Sequence, residues 1–246
     1  MSENIGAVPS SAPARPAVPD RLEDLEVAES TVHDLALRYL WLHGSATLTA
    51  LNQTLKLSFA VLETVYHQFR QQHLIEVNGM MGDDYSFKLS AGGQARAEAR
   101  ASAGRYVGPA PVSLAQYNRV VMAQTASPAL DRESLRDALG DLVVPDGLLD
   151  ALGPALVARQ PLLLYGGVGS GKTSIAQRIP RIFRDTVVIP YAVEVAGNVV
   201  SVFDPAIHKP VAEADDSLDP RWVVCERPCV TVGGELTAAM LELRRD

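Results

Sequence analysis

The sequence predicts an α/β chain in two parts, a small helical module closed by a β-ribbon and, after it, a domain built on a parallel sheet. Three observations carry this. Residues 31 to 100 show helical and extended periodicity in the order helix, helix, helix, strand, strand, helix. Residues 161 to 176, PLLLYGGVGSGKTSIA, set an apolar run, a glycine-rich turn and a helical pattern in succession. Between the two, residues 104 to 117, GRYVGPAPVSLAQY, are punctuated by Gly and Pro in the manner of a connector.

Taken in order, residues 1–28 are rich in Pro, Ala and Ser and poor in large apolar side chains, which cannot repay the entropy of ordering, so they predict a disordered tail. The module spans 29–104. Val32, Leu35, Ala36 and Tyr39 mark one face of a first helix, broken at Gly44-Ser45, and a second short helix runs through Leu51 and Leu55. A third, about Ser58 to Gln72, puts Phe59, Leu62, Val65, Tyr66 and Phe69 on one side, with Ser58 as its N-cap. Ile75 to Val77 and Tyr85 to Leu89 read as a hairpin, and Ser90 caps a closing helix through Arg100. Three helices, a ribbon and a closing helix make a winged helix-turn-helix.

A winged helix invites a DNA reading, and the local charge opposes it. Across residues 31 to 104 six basic residues meet six acidic ones, whereas phosphate neutralisation dominates DNA affinity. The third helix offers Arg70 but also Glu63, and the wing turn carries Asp83-Asp84. The module is therefore expected to contact a protein partner, with DNA the lesser alternative.

Residues 105–128 are expected to be a linker and 129–246 the second domain. Asp131 to Leu142 and Asp146 to Arg159 read as helices, the latter interrupted at Gly153-Pro154. Leu162 to Tyr165 reads as a buried strand. Then Gly166, Gly167, Val168, Gly169, Ser170, Gly171, Lys172 and Thr173 match G-x-x-x-x-G-K-[ST], with Ser174 following. Such a turn converges backbone N–H groups on phosphate, Lys172 brings a catalytic point charge to the β- and γ-oxygens, and the Thr173 hydroxyl supplies a ligand to Mg²⁺. The cofactors implied are ATP and Mg²⁺, on a P-loop NTPase fold. Pro180 should end the following helix near Ile179. Beyond it come a strand at Thr186 to Ile189, a hairpin around Ala196 to Asn198, strands at Trp222 to Val224 and Val230 to Val232, and a helix from Glu235.

The acidic strand that a P-loop hydrolase needs is missing. Glu226 and Glu235 are the nearest acids, and each reads better as a surface residue. Asp204 and His208 could face the nucleotide but sit more naturally on a loop. Cys225 and Cys229, the only cysteines, read as reduced thiols. The net charge of −7 opposes a general nucleic-acid or anionic-membrane binder. With neither a signal-type apolar core nor a membrane-length apolar run, a cytoplasmic location is expected.

The winged helix, the connector Tyr106 to Ser113, the loop Leu164 to Ser174 and the runs Ile189 to Val195 and Phe203 to Pro205 together resemble a bacterial family of AAA+ ATPases described as having chaperone activity, similar to MoxR-type and chelatase-type motors. The family loop is similar to G-P-P-G-x-G-K-T, and Gly167-Val168 stand where its prolines would be. The resemblance implies ATP-driven remodelling of protein partners and, for a full-length form, a homo-oligomeric ring. It further implies that the Walker B acid, sensors, arginine finger and lid lie beyond residue 246, so that 129–246 is an AAA+-like domain cut short. The alternative is a regulator that binds nucleotide without hydrolysing it and acts through the winged helix on a protein or on DNA.

Overall fold

The structure, a computed structural model, describes residues 15–81, 84–101, 106–124, 131–158, 162–183, 185–211 and 217–229. Its first unit is a winged helix: α1 (Glu29–His43), α2 (Leu48–Leu55), α3 (Phe59–Gln71), β1 (Ile75–Met81), β2 (Asp84–Leu89) and α4 (Ala91–Ala101). The local signals act where the sequence places them. Ser58 accepts the Val61 N–H at the start of α3, Thr47 accepts the Ala50 N–H at the start of α2, and Ser90 Oγ accepts the Gly93 N–H at the start of α4. β1 and β2 pair antiparallel, Ile75 opposite Leu89. Leu35, Leu40, Leu55, Leu62, Phe69 and Phe87 fill one core between the three helices and the ribbon.

Part of the expected tail is ordered. Residues 15–28 run along the winged helix as a strap, with a 3₁₀ turn at Glu23–Leu25 that buries Leu25 in the helical core beside Leu22 and Val27. The Pro19 carbonyl accepts from Ser58 Oγ at 2.7 Å. Three apolar side chains packed on the helical core, with backbone bonds joining Pro16 and Ala17 to Asp219 and Leu218, order a segment whose composition is otherwise that of a tail. Residues 1–14 lie outside the described residues.

The expected linker is likewise packed in place. Ala110 is fully buried, its N–H donating to the Leu55 carbonyl at 2.7 Å. Val112–Ser113 form β3, and Leu114–Ala123 form α5, capped by Ser113. β3 pairs parallel with β5 (Ala192–Val195), and β5 pairs antiparallel with β6 (Asn198–Ser201) across a turn in which Ala196 and Gly197 both have positive φ. A separate two-stranded antiparallel ribbon joins β4 (Thr186–Pro190) to β7 (Trp222–Glu226). A small core of Val112, Val120, Val188, Val193, Trp222 and Val224 lies among these strands and α5. α6 (Arg132–Ala138), α7 (Asp146–Val157) and α8 (Lys172–Ala176) form a further cluster around Leu135, Leu139, Leu149, Leu152 and Ile175.

Among the described residues this half of the chain does not form the parallel sheet of a P-loop domain. Its sheets are two- and three-stranded and mostly antiparallel. Leu162 to Tyr165, expected as a buried strand, is extended coil without a ladder partner among the described residues, with Leu163 and Tyr165 largely exposed. The physical reason lies on β4. One edge of β4 is taken by β7, and on the other the Gln124 side chain imitates a strand, accepting the Val188 N–H and donating Nε2 to the Val188 carbonyl. No edge is left at Val188 for Leu162 to Tyr165 to join. The helix after the loop is also shorter than its apolar spacing suggests, since Pro180 has no N–H and forces a 3₁₀ turn at Ile179–Ile182. The strand expected at Val230 to Val232 and the helix from Glu235 lie outside the described residues.

Polar contacts lock the winged helix to the strands behind it. Glu194 on β5 accepts from the Ala28 N–H and Thr31 Oγ, tying the start of α1 to the sheet. Arg221 is wholly buried. It grips Asp219 with Nε and Nη2, at 3.1 and 2.7 Å, and donates Nη1 to the carbonyls of Pro111 and Leu25. One guanidinium thus ties the strap, the connector and the entry to β7.

Candidate functional site

The glycine-rich loop is exposed on the surface between Tyr165 and α8. Gly166, Gly169 and Gly171 have φ of +149°, +80° and +82°, a region closed to most side chains. A Cβ at Gly169 or Gly171 would meet nothing within 4 Å, so glycine is required there by backbone conformation and not by crowding. Lys172 opens α8 and turns back over the loop. Its ammonium donates to the Gly166 carbonyl at 3.1 Å, the Gly167 carbonyl at 2.7 Å and Ser170 Oγ at 3.1 Å. The first turn of α8 leaves the amides of Lys172, Thr173 and Ser174 without helical acceptors, and Gly171 offers no side-chain cap. Unpaired first-turn amides beside a cation are the groups that phosphate oxygens would accept from.

The residues present fit the phosphates of ATP: Gly166 to Gly171 curve the backbone, and Lys172 can exchange its carbonyl partners for phosphate oxygens. They fit Mg²⁺ only through the Thr173 hydroxyl. Glu226 stands exposed at the end of β7 opposite Thr186, Glu235 is outside the described residues, and no trio of His, Cys, Asp or Glu able to hold a metal occurs among the described residues. Asp204 and His208 are engaged with each other, the Asp204 N–H donating to His208 Nδ1 at 2.9 Å while the ring stacks on Phe203. Cys225 is buried, which pushes its thiol pKa up, and Cys229 is exposed; neither is in a disulfide.

Sequence reasoning missed what holds α8 in place. Arg178 Nε and Nη2 each lie 2.7 Å from Asp141, and Arg181 Nη1 lies 3.0 Å from the same carboxylate. The paired Arg178 contact, followed by that of Arg181, keeps Asp141 well below the usual carboxylate range. Arg178 Nη1 also donates to the Ser174 carbonyl, so the fork reaches the helix that follows the loop. Two arginines three apart were readable as one helix face, but their partner is 37 residues away in sequence from Arg178.

The second candidate surface is the outward face of α3 with the wing. Phe59, Glu63, His67 and Arg70 are exposed along α3, and the Arg70 guanidinium lies 6.0 Å from the Tyr66 ring centroid. On the wing Met80 pairs with Tyr85, both exposed, while Asp84 accepts the Thr49 N–H and thereby braces the ribbon against α2. The surface is mixed in charge and partly apolar.

This topology defines a winged-helix protein. Among solved structures the chain is similar to ZitR of Lactococcus lactis, at 17% identity over 55% of this chain and 81% of that one, with a TM-score of 0.27. It is similar also to MepR from S. aureus (17% identity, 53% and 83%, TM-score 0.27) and to MarR from E. coli (14% identity, 55% and 82%, TM-score 0.27). No family model matches the chain, and no curated protein does. At these values the likeness adds nothing to what the order of helices and strands already establishes.

The AAA+ identification made on sequence is corrected here. None of the solved structures named above is an AAA+ ATPase. The parallel sheet that would carry a P-loop motor is also missing from the described residues. The ATPase, chaperone and ring assembly that the resemblance implied go with it. No helix among the described residues is long and apolar enough to cross a membrane.

Proposed function

We propose that this chain is a winged-helix regulator that acts by binding a macromolecular partner, a protein in preference to DNA, with a nucleotide as a ligand of the glycine-rich loop and not as a fuel. The nucleotide part rests on one observation, the Lys172 ammonium drawn onto the carbonyls of a loop curved by three positive-φ glycines. A phosphate would replace carbonyl acceptors with charged ones, about doubling the strength of each hydrogen bond. The partner part rests on the α3 face. A groove-reading helix and wing neutralise several phosphates with Lys and Arg, whereas here Arg70 is accompanied by Glu63, and the wing presents Met80, Tyr85 and Asp84.

The test is a titration of the purified chain with a fluorescent ATP analogue, with and without Mg²⁺, beside Lys172→Ala. Saturable binding weakened at least about tenfold in the variant is expected, a loss of roughly 1.4 kcal/mol or more. Equal binding by both proteins, or none by either, refutes the nucleotide reading. A labelled DNA duplex titrated at about 50 and about 200 mM salt tests the partner class. Tight binding that falls steeply with salt would replace the protein partner with DNA.

A further inference from the structure

A cleft lies behind the glycine-rich loop, bounded by both of its arms. Leu162 and Leu164 from the entering arm, Ile179, Pro180 and Phe183 from beyond α8, and Leu156 from α7 form an apolar lining around about 390 Å³. Ala176, the smallest side chain of the wall, projects into it from the last residue of α8. Two residues of the lining differ from the rest, Arg227 and Cys229. Arg227 is held by Asp185 through Nε at 2.9 Å and through Nη2, and Nη2 also donates to the Gln124 carbonyl; Nη1 has no partner among the described residues.

We propose that this cleft is a binding site for a small apolar molecule carrying one anionic or hydrogen-bond-accepting head, its body against the leucine, isoleucine and phenylalanine side chains and its head at Arg227 Nη1. The volume falls within the roughly 300–1,000 Å³ of small-molecule pockets, and the lining has their composition, an apolar wall with a fixed polar group. An empty apolar cleft of this size leaves its walls in water, and a ligand removes that exposure at a gain of about 25 cal/mol per Å² buried. The orientation of the head is set by Asp185, which grips two of the three guanidinium nitrogens and leaves the third to a ligand. Because Leu164 and Ala176 are two and four residues from Gly166 and Lys172, an occupant braces both ends of the loop. The site would thus be one through which a metabolite of this chemistry influences the loop, and it stands whether or not the loop binds nucleotide.

The probe is 1-anilinonaphthalene-8-sulfonate, whose rings and sulfonate match the apolar wall and Arg227. Its fluorescence should rise saturably with one site per chain. In Ala176→Phe, where the phenyl ring fills the cleft, affinity should fall at least about tenfold, or roughly 1.4 kcal/mol, with the far-ultraviolet circular dichroism unchanged. Cys229 provides a second readout, since Cys225 is buried: the probe should slow alkylation of Cys229 by N-phenylmaleimide several-fold in the native chain and not in Ala176→Phe. Non-saturable fluorescence, or saturable binding equally strong in a folded Ala176→Phe, overturns the proposal. Should Ala176→Phe fail to fold, Cys229→Trp in the lining replaces it with the same expected loss of affinity. Failure here leaves the nucleotide titration of Lys172→Ala unaffected, so the two readings fall separately.

Discussion

At the scale of single residues, buried and half-buried polar side chains make the joints. Tyr106 is one. Its hydroxyl donates to the Pro109 carbonyl at 2.8 Å, and its own carbonyl accepts from Arg38 Nη1 at 2.8 Å, so the connector is pinned to α1. Burial, with a smaller contribution from Tyr191, pushes the phenol up to about 12. The sign follows from proton linkage. A raised acid binds its proton more tightly in the folded state, so the stabilisation is complete below the unfolded value of about 10 and is lost as pH rises from there through about 12. Burial raises Tyr191 as well, so an absorbance titration at alkaline pH should show late-titrating tyrosines, one fewer of them in Tyr106→Phe, whose stability should fall less steeply between those pH values. A Tyr106 that titrates with the exposed tyrosines would contradict the buried connector.

Lys172 and Arg221 show two opposite uses of a cation. Among the described residues Lys172 is paired with two carbonyls and a hydroxyl, all uncharged, and would be free to exchange them for a phosphate under the proposed function. Arg221 has a carboxylate and two carbonyls and no exposed atom, which is the property of a structural rivet. Sequence gave no means of ranking them, because the motif around Lys172 is visible as letters and the surroundings of Arg221 are assembled from residues 25, 111 and 219.

At the scale of elements, the closest approach in the winged helix is between α4 and the chain entering β1. A Cβ on Gly93 would stand 2.0 Å from the Leu74 carbonyl oxygen, a backbone atom that cannot step aside without moving β1. Gly93→Ala should therefore cost roughly 2–4 kcal/mol in urea unfolding, above the usual range for overpacking because the obstacle is main chain. The neighbouring Gly92, whose Cβ would meet Ser90 Oγ at 3.7 Å, is the control: Gly92→Ala should be neutral or stabilise by up to about 1 kcal/mol through helix propensity. Equal effects of the two substitutions would mean that α4 does not pack on Leu74.

The elements of the first unit were legible because their signals are local. Ser58 and Ser90 stand one residue ahead of the helices they were expected to cap, and each cap bond closes within three residues, as does that of Thr47, which was not singled out from the sequence. The strand expected at Leu162 to Tyr165 was misread for the converse reason. Four apolar residues in a row are compatible with a strand, but a strand exists only where a neighbour offers an edge, and β4 offers its edge to the Gln124 amide. Nothing near Leu162 in sequence records that decision.

At the scale of the whole molecule, the winged helix and the strands behind it form one body through contacts of long sequence separation. Arg221 to Leu25, Glu194 to Ala28 and Thr31, and Ala110 to Leu55 all cross the boundary. Removing Arg221 leaves Asp219 as an uncompensated buried charge, at a cost of about 3–5 kcal/mol. Arg221→Ala should lower stability by that amount and split a single unfolding transition into two, the winged helix melting after the strands. A variant that melts in one transition with near-native stability would show that Arg221 does not couple the units. The apolar core of the winged helix is the larger one and is filled almost wholly by its own helices and ribbon, with Ala110 the one buried residue it takes from the connector, which is why it should survive.

By itself the sequence determined the winged helix and the conformation of the glycine-rich loop, since caps, apolar spacing and positive-φ glycines act over a few residues and carry their energetics with them. Only the tertiary structure decided that part of the tail is a strap, that the connector is buried, that Leu162 to Tyr165 pairs with nothing described, and that a cleft opens between the arms of the loop. Those outcomes depend on which surfaces reach each other first and best: an edge already bonded, an arginine already neutralised or a groove already filled closes options that the local sequence leaves open.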